Sequence, residues 1–584
     1  MLKNIRSCFY RFKGLQVPLE KYLFPVVLLL YPIIGAGEGL DISDTTYALT
    51  NYEYMDRIDP MWAISTFAAN ITGSLIMKLP FAGTMLGVSI ICSLIISLTA
   101  LVSYYLLRKW MPGWMIFIGL FIAESLCWCP RVILYNYLTY LFFTLGILFL
   151  FIGMFDWERE KIFLFLAGMC FGLNVMVRFP NIVEAGMIVV LWFYMAVTGS
   201  GISETVRKTG ICIGGYFLGL FIPYVLILFM YGPGAYLKMI QSLFGMTGGA
   251  SDYQAGGMLS SIISAYMTTA GNMAIMLPCI AAGIIMFVML PGKYVPVKKL
   301  LYVAGLLVLV RFYFGRGIFT RNYFYYDSVF QAAMMFVVFG IVMLIIGSLG
   351  VLNGSRQEQT LAFGALMVIL ITPIGSNNYT FPVINNLFVA APIILWIMRR
   401  LMQRMGERDV DFPWQAMMTM VIAVLLVQGA IFHAVFAFKD GDDGSVRDSH
   451  SEVPKVAAMR TGSDNAGTLD ELYRFLEEKD LFDKKVILFG DIPGISYVFD
   501  MEMAIDSAWP DLDSYSCDKF REQLESAAPD REETLIITGS PIPEYASSGR
   551  KYDILLDYIA SSDYNKVFEN DKYTVYAAAD ESED

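Results

Sequence analysis

Histidine, cysteine and charge are all scarce in this chain, and each shortage closes off a class of function. Two histidines in 584 residues, His433 and His450, are too few for a histidine-based metal centre. Of eight cysteines only Cys517 follows residue 438, so no disulfide can form within that tail, which has to fold on its core alone. Six of the other seven (Cys8, Cys92, Cys127, Cys129, Cys170, Cys212, Cys279) sit in apolar segments, where cysteine behaves as a small hydrophobe. A P-loop, a G-x-G-x-x-G after a strand, an H-E-x-x-H and a G-x-S-x-G are all missing, which argues against nucleotide-driven work and leaves no cofactor motif. Only 16% of residues are charged against 56% hydrophobic, with a mean hydropathy of +0.56, and a soluble domain cannot hide that much apolar surface.

What charge there is divides sharply. From residue 439 onward there are 15 basic and 34 acidic residues, a net charge of −19; the preceding residues carry +8. An acidic tail in water repels anionic polymers, so nucleic acid is excluded as a partner. The preceding region reads as about thirteen apolar segments, at 22–38, 81–107, 112–129, 134–154, 162–177, 181–198, 209–230, 272–290, 300–314, 328–349, 360–375, 384–398 and 416–437. Nineteen lysines and arginines fall in the N-terminus and alternate loops, against roughly eight in the opposite loops. The positive-inside rule then predicts a multi-pass plasma-membrane protein with a cytoplasmic N-terminus and an extracytoplasmic tail. The first span lacks a convincing cleavage site and reads as a retained anchor.

These features divide the chain into a cytoplasmic N-terminus (1–21), a membrane domain (22–437) with a first outer loop at about 39–80, a flexible linker (438–463) and an acidic α/β domain (464–584). The linker is assigned from its Asp, Gly and Ser content. Val486–Gly490 and Thr534–Thr538 are apolar runs suited to buried strands, Tyr573–Ala577 suits a further strand, and Leu469–Glu478 and Asp518–Ser526 are amphipathic.

Polar chemistry gathers in the outer loops. The first contains Asp41, Asp44, Tyr47, Glu53, Asp56 and Asp59, and carboxylates this dense beside a bilayer are expensive to desolvate without a partner. Two readings fit: a general base or a divalent-metal holder, with Asp41 and Asp44 on one face of a helix, or a solvated loop of helix caps. Outer arginines run against the positive-inside bias and form a second group: Arg131, Arg178 in Val-Arg-Phe-Pro-Asn, and Arg311, Arg316 and Arg321 in an aromatic stretch. As a cluster they suit an anionic lipid head group, since guanidinium forks bind phosphate oxygens; singly, each also suits an aromatic belt with snorkelling arginines. Glu124, inside the third apolar segment, is a candidate either for substrate binding or for pairing with an arginine of a neighbouring helix. Asn377 and Asn378, in the outer loop Gly375–Asn386, supply amides of the kind that hydrogen-bond sugars.

Several of these features together resemble the GT-C superfamily, the polytopic glycosyltransferases that include protein O-mannosyltransferases and the aminoarabinose transferases of lipid A. The resemblance covers roughly residues 20–410 and rests on Asp44-Thr-Thr-Tyr47 at the head of a long first outer loop, the later acids Asp56 and Asp59, Arg178-Phe-Pro180 after a span containing Gly168-x-x-x-Gly172, and Asn136-Tyr-Leu-Thr-Tyr-Leu opening span four. It implies a GT-C-like helical membrane domain and an inverting reaction. Sugar would pass from a polyprenyl-phosphate carrier to a glycan, lipid or protein acceptor, with Asp44 as the base and Asp41 as the second choice. From the loop and span chemistry above, the substrate-binding candidates are Asp59, Glu124, Arg131, Arg178, Arg311, Arg316, Arg321, Asn377 and Asn378. The competing classes are a transporter or flippase for lipid-linked saccharide, which should show polar residues at mid-membrane depth in several spans, and a surface-polysaccharide polymerase or ligase.

Overall fold

The computed structural model of the chain describes residues 17–128, 130–249, 255–289, 292–323, 325, 327–376, 378–406, 414–440 and 446–578. Long uncharged runs have no aqueous alternative for their backbone polar groups except a helix, and helices dominate up to residue 435. Among the described residues eight are long and apolar enough to cross a membrane, among them Met85–Leu107, Leu134–Phe155, Glu160–Val177, Ile202–Tyr231 and Met418–Val435. The chain is a multi-pass membrane protein. The expected count of thirteen is not reached, because several of the remaining segments form shorter helices, such as the 14-residue Gly113–Leu126. The first expected span is a broken run of π, α and 3-10 turns from Leu19 to Ile33, interrupted by Pro25 and Pro32.

Large side chains left exposed, such as Phe217, Phe221 and Phe229 on Ile202–Tyr231, suit a lipid surface. The opposite face of that helix shows how the bundle closes. Gly168 and Gly172 of Glu160–Val177 face the backbone of Cys212 and Tyr216, while Gly215 and Gly219 face the backbone of Phe165 and Met169. Two small-xxx-small stripes thus interlock, and dispersion between backbones replaces the hydrophobic effect that lipid cannot supply.

The segment expected to be the first outer loop is itself helical, and we name its first helix α1 (Asp44–Glu53). Pro60–Ser65 and Phe67–Met77 follow it. The tail carries a four-stranded sheet of β1 (Lys485–Phe489), β2 (Thr534–Gly539), β3 (Tyr564–Glu569) and β4 (Tyr573–Ala578) in the order β1-β2-β4-β3. The β1–β2 pair is parallel and the other two pairs are antiparallel. Three of these strands match the apolar runs of the sequence; β3 escapes such a search because its Tyr-Asn-Lys-Val-Phe-Glu lies on an edge and is mostly exposed.

Of the segment expected to be a flexible linker, residues 446–463 are packed. Ser449 bridges Thr461, Val453, Val456 and Met459 are buried, and the buried Ser451 hydroxyl donates to Asp470 Oδ1 at 2.5 Å. Polar composition suggested mobility, but the polar groups pair with one another and with the first outer loop. Arg460 N donates to the Gly37 carbonyl and Gly39 N to the Arg460 carbonyl, each at 2.8 Å. Further contacts hold the tail on that loop: Gly494 N to Ile42 O at 2.9 Å, Thr50 Oγ1 to Pro493 O at 3.1 Å, and Lys455 between Glu53 at 2.7 Å and Asp500 at 3.0 Å. Only glycine fits at 494, where a Cβ would overlap the Thr46 side chain.

The interlocked glycines generate a paired prediction. Gly215→Leu drives a side chain into the Phe165 carbonyl and should lower thermal stability in detergent by about 1–3 kcal/mol or prevent assembly. Gly214→Leu, which meets open space, should leave the melting temperature within error. Equal effects would show that the two helices do not pack through this stripe.

Candidate active site

The entry into α1 is built by Asp41. Its carboxylate accepts from Ser43 N at 2.8 Å, Ser43 Oγ at 2.6 Å and Thr45 N at 2.8 Å, while Thr46 Oγ1 donates to its carbonyl at 2.9 Å. These bonds satisfy amides that a helix start leaves orphaned and bring a negative charge to its positive end. Asp41 therefore precedes the helix, and the expectation that it shares a helical face with Asp44 is corrected: Asp41 is 2% exposed, whereas the Asp44 side chain is 36% exposed and opens outward.

Asp44 lines a cavity of about 460 Å³ together with Arg178, Lys439, Asn378, Asn136 and Tyr140. Arg178 comes from the point where Glu160–Val177 ends in an extended residue (φ −154°) ahead of Phe179-Pro180. Its guanidinium lies 5.6 Å over the Tyr135 ring and donates to the Gly375 carbonyl at 3.3 Å. Lys439 follows the last helix in a left-handed conformation (φ 43°), and its ammonium meets Asp44 Oδ2 at 2.6 Å. The next residue fixes that geometry: buried Asp440 pairs with Arg447 Nε at 3.1 Å and accepts from Asn465 at 2.9 Å and from Thr461. Burial pushes the Lys439 ammonium down, but Asp44, Asp491 and Asp41 outweigh it and hold the group above its ordinary range.

The tail closes over this pair. Trp509 sits edge-on to Tyr47 at 5.2 Å and under the Lys439 ammonium at 6.0 Å. Asp491 follows β1 in a left-handed conformation (φ 62°) and accepts from Tyr545 OH at 3.3 Å. Burial raises its carboxyl, against the opposing charge of Lys439.

The remaining candidates are dispersed. Arg131 and Asp41 line a separate chamber of about 40 Å³, where Arg131 donates to the Ile34 and His433 carbonyls at 2.8 and 2.9 Å. Asp59 caps Pro60–Ser65 by accepting from Met61 N at 2.6 Å and pairs with Lys519 of the tail. Glu124 is fully buried in Gly113–Leu126, with no hydrogen-bond partner on either oxygen, and does not border the cavity. Arg311, Arg316 and Arg321 are exposed and do not line it, Arg316 lying over Phe312 at 5.0 Å and Arg321 over Phe314 at 5.9 Å. Asn377 lies outside the described residues. Nor do the first-loop carboxylates form a metal cage: Asp41 is spent on amides and a hydroxyl, Asp44 and Asp59 on lysines, and among the described residues no group of three or more metal-binding side chains converges.

Lys439, Tyr135, Trp509 and Asp491 were missed as site residues. Lys439 carried the signal that marked the arginines, a cation on the outer end of a span, whereas Trp509 and Asp491 reach the site only through the docking of the tail.

No protein-family model matches the sequence, and no curated protein matches it. Among solved structures, ArnT from Cupriavidus metallidurans bound to undecaprenyl phosphate superimposes over 96% of this chain and 97% of its own, with a TM-score of 0.50 at 8% identity. The chain shares the fold of that protein over nearly its whole length. The Archaeoglobus fulgidus oligosaccharyltransferase in complex with zinc and sulfate covers 95% of this chain and 73% of its own at 12% identity, with a TM-score of 0.48.

Asp41 supplies a pH test of this site. Burial lifts its carboxyl to about 6, Asp44 adds to the rise, and the Ser43 and Thr45 bonds and Lys439 oppose it. The folded chain then holds a proton that the unfolded chain releases near the ordinary 3.8. Stability should fall as pH rises from about 4 to about 6, with the full cost present above that window. Asp41→Asn should flatten the slope of melting temperature against pH across this range; an unchanged slope would show Asp41 ionised throughout.

Proposed function

We propose that the protein is an inverting glycosyltransferase that moves a sugar from a polyprenyl-phosphate carrier to a hydroxyl of an extracytoplasmic acceptor. The observation that carries this reading is the meeting of a carboxylate, Asp44, with two cations, Arg178 and Lys439, in one cavity. Outside a membrane no nucleotide sugar is at hand, so the activated donor has to be lipid-borne, and its departing phosphate needs fixed positive charge. ArnT, whose fold the chain shares, was solved with undecaprenyl phosphate.

In this mechanism Asp44 accepts the acceptor's hydroxyl proton as that oxygen forms its bond to the anomeric carbon. The bond from that carbon to the phosphate oxygen breaks, and its electron pair leaves with the lipid phosphate. Arg178 holds the phosphate through its guanidinium fork, and Lys439 adds a point charge. Developing charge meets groups already in place, so the chain contributes mainly positioning and electrostatic stabilisation. Lys439 also restrains the base, because its ammonium occupies Asp44 until a phosphate competes for it. Asp41 acts as a positioning residue by fixing the start of α1. On this reading the tail and the cavity lie on the extracytoplasmic side, with the N-terminus cytoplasmic.

Incubation of the purified protein with labelled polyprenyl-phosphate sugars tests the proposal by release of polyprenyl phosphate. Asp44→Asn should lower turnover by about 10²–10⁴-fold with donor binding retained. Arg178→Ala should weaken donor binding as well. Full activity in Asp44→Asn would remove the base from the mechanism, and movement of intact donor across vesicles without cleavage would favour a transporter.

A further inference from the structure

One carboxylate near the cavity has no part in that mechanism. Glu184 lies in the 3-10 segment Phe179–Met187 that follows Arg178, and it is 3% exposed. It opens on a side chamber of about 20 Å³ that shares Asn136, Tyr140 and Arg178 with the main cavity.

The hydrogen bonding of Glu184 is one-sided. Its two oxygens lie 2.8 and 2.9 Å from a single nitrogen, Nδ2 of Asn174, which also donates to the Thr139 carbonyl at 3.1 Å. One N–H therefore serves both oxygens, where a carboxylate has room for about four donors. Neighbouring donors are directed elsewhere: Asn181 Nδ2 to Thr139 Oγ1 at 2.7 Å and to the Asn174 carbonyl at 3.0 Å, and Arg178 to the Gly375 carbonyl. The Asn174 Oδ1 is also buried without a partner. A membrane-embedded cluster with surplus acceptors is costly unless donors arrive from outside.

We propose that Glu184 receives a hydrogen-bond-donating substituent of the donor's sugar, a hydroxyl or an ammonium, and so selects which lipid-linked sugar is used. The inference rests on the transferase reading above. The chamber holds about one group the size of a water molecule, so it accepts a single substituent and not a ring. Arg178 borders both spaces, which puts this substituent beside the phosphate that the arginine holds.

The test measures kcat/KM by polyprenyl phosphate release from polyprenyl-phosphate hexose, its monodeoxy analogues and a polyprenyl-phosphate amino sugar. The full-length protein and its Glu184→Gln and Glu184→Asp variants are compared, with thermal unfolding recorded alongside. Wild type should discriminate by about tenfold or more against the analogue lacking the bound substituent, because a buried acceptor is then left unpaired. Glu184→Gln should cost the preferred donor about tenfold while leaving that analogue nearly unchanged, and Glu184→Asp should retain part of the preference. A preference for the amino sugar that Glu184→Gln abolishes would identify an ammonium, whereas a deoxy-sensitive preference would identify a hydroxyl. Equal losses for every donor, or lowered stability with discrimination intact, would overturn the proposal and leave Glu184 a structural group holding a buried water. Failure of the wild type to release polyprenyl phosphate from any donor would overturn the transferase reading itself, and this inference with it.

Discussion

The ion pair between Asp44 and Lys439 joins two parts of the chain almost 400 positions apart, and the architecture around the cavity serves to hold those two side chains opposite each other. Each is fixed by a buried aspartate that never faces the cavity. Asp41 ties the entry of α1 through three hydrogen bonds to its carboxylate, and Asp440 ties the exit of the last helix to Arg447, Thr461 and Asn465. Buried carboxylates are tolerated because each meets several donors, and several directed bonds to one rigid group define a geometry that a single surface ion pair does not.

The tail has an architectural part in this arrangement. Its packed connection and the loop after β1 rest on the first outer loop, so that Trp509 and Asp491 close over Lys439. The parallel strands β1 and β2 present their carboxyl ends toward this contact, the end of a sheet where loops commonly form sites. The acidic domain thereby packs against Lys439, which lines the cavity.

Within the membrane the same economy applies. Helices cannot gain from excluding lipid from lipid, so Gly168, Gly172, Gly215 and Gly219 let backbones touch. Glu184 pairs with Asn174 and still borders a small side chamber, whereas Arg131, by donating to the Ile34 and His433 carbonyls, has a purely local account.

The sequence by itself determined the membrane class, the opposed charge of membrane domain and tail and three of the four strands, because hydropathy and charge act locally and leave a periodic trace. Asp44, Arg178 and Asn378 were among its candidates, but residue type and loop membership alone do not separate Asp44 from Asp41, nor Arg178 from Arg311, Arg316 and Arg321, because they are the same in each set. Only the tertiary structure decided that Asp41 caps a helix, that Asp59 pairs with Lys519, that residues 446–463 are packed, that Lys439 lines the cavity and that the tail's Trp509 lies against Lys439. Those outcomes depend on which distant groups supply hydrogen-bond donors and counter-charges, and the docking of the tail on the first outer loop, not any local pattern, brings them together.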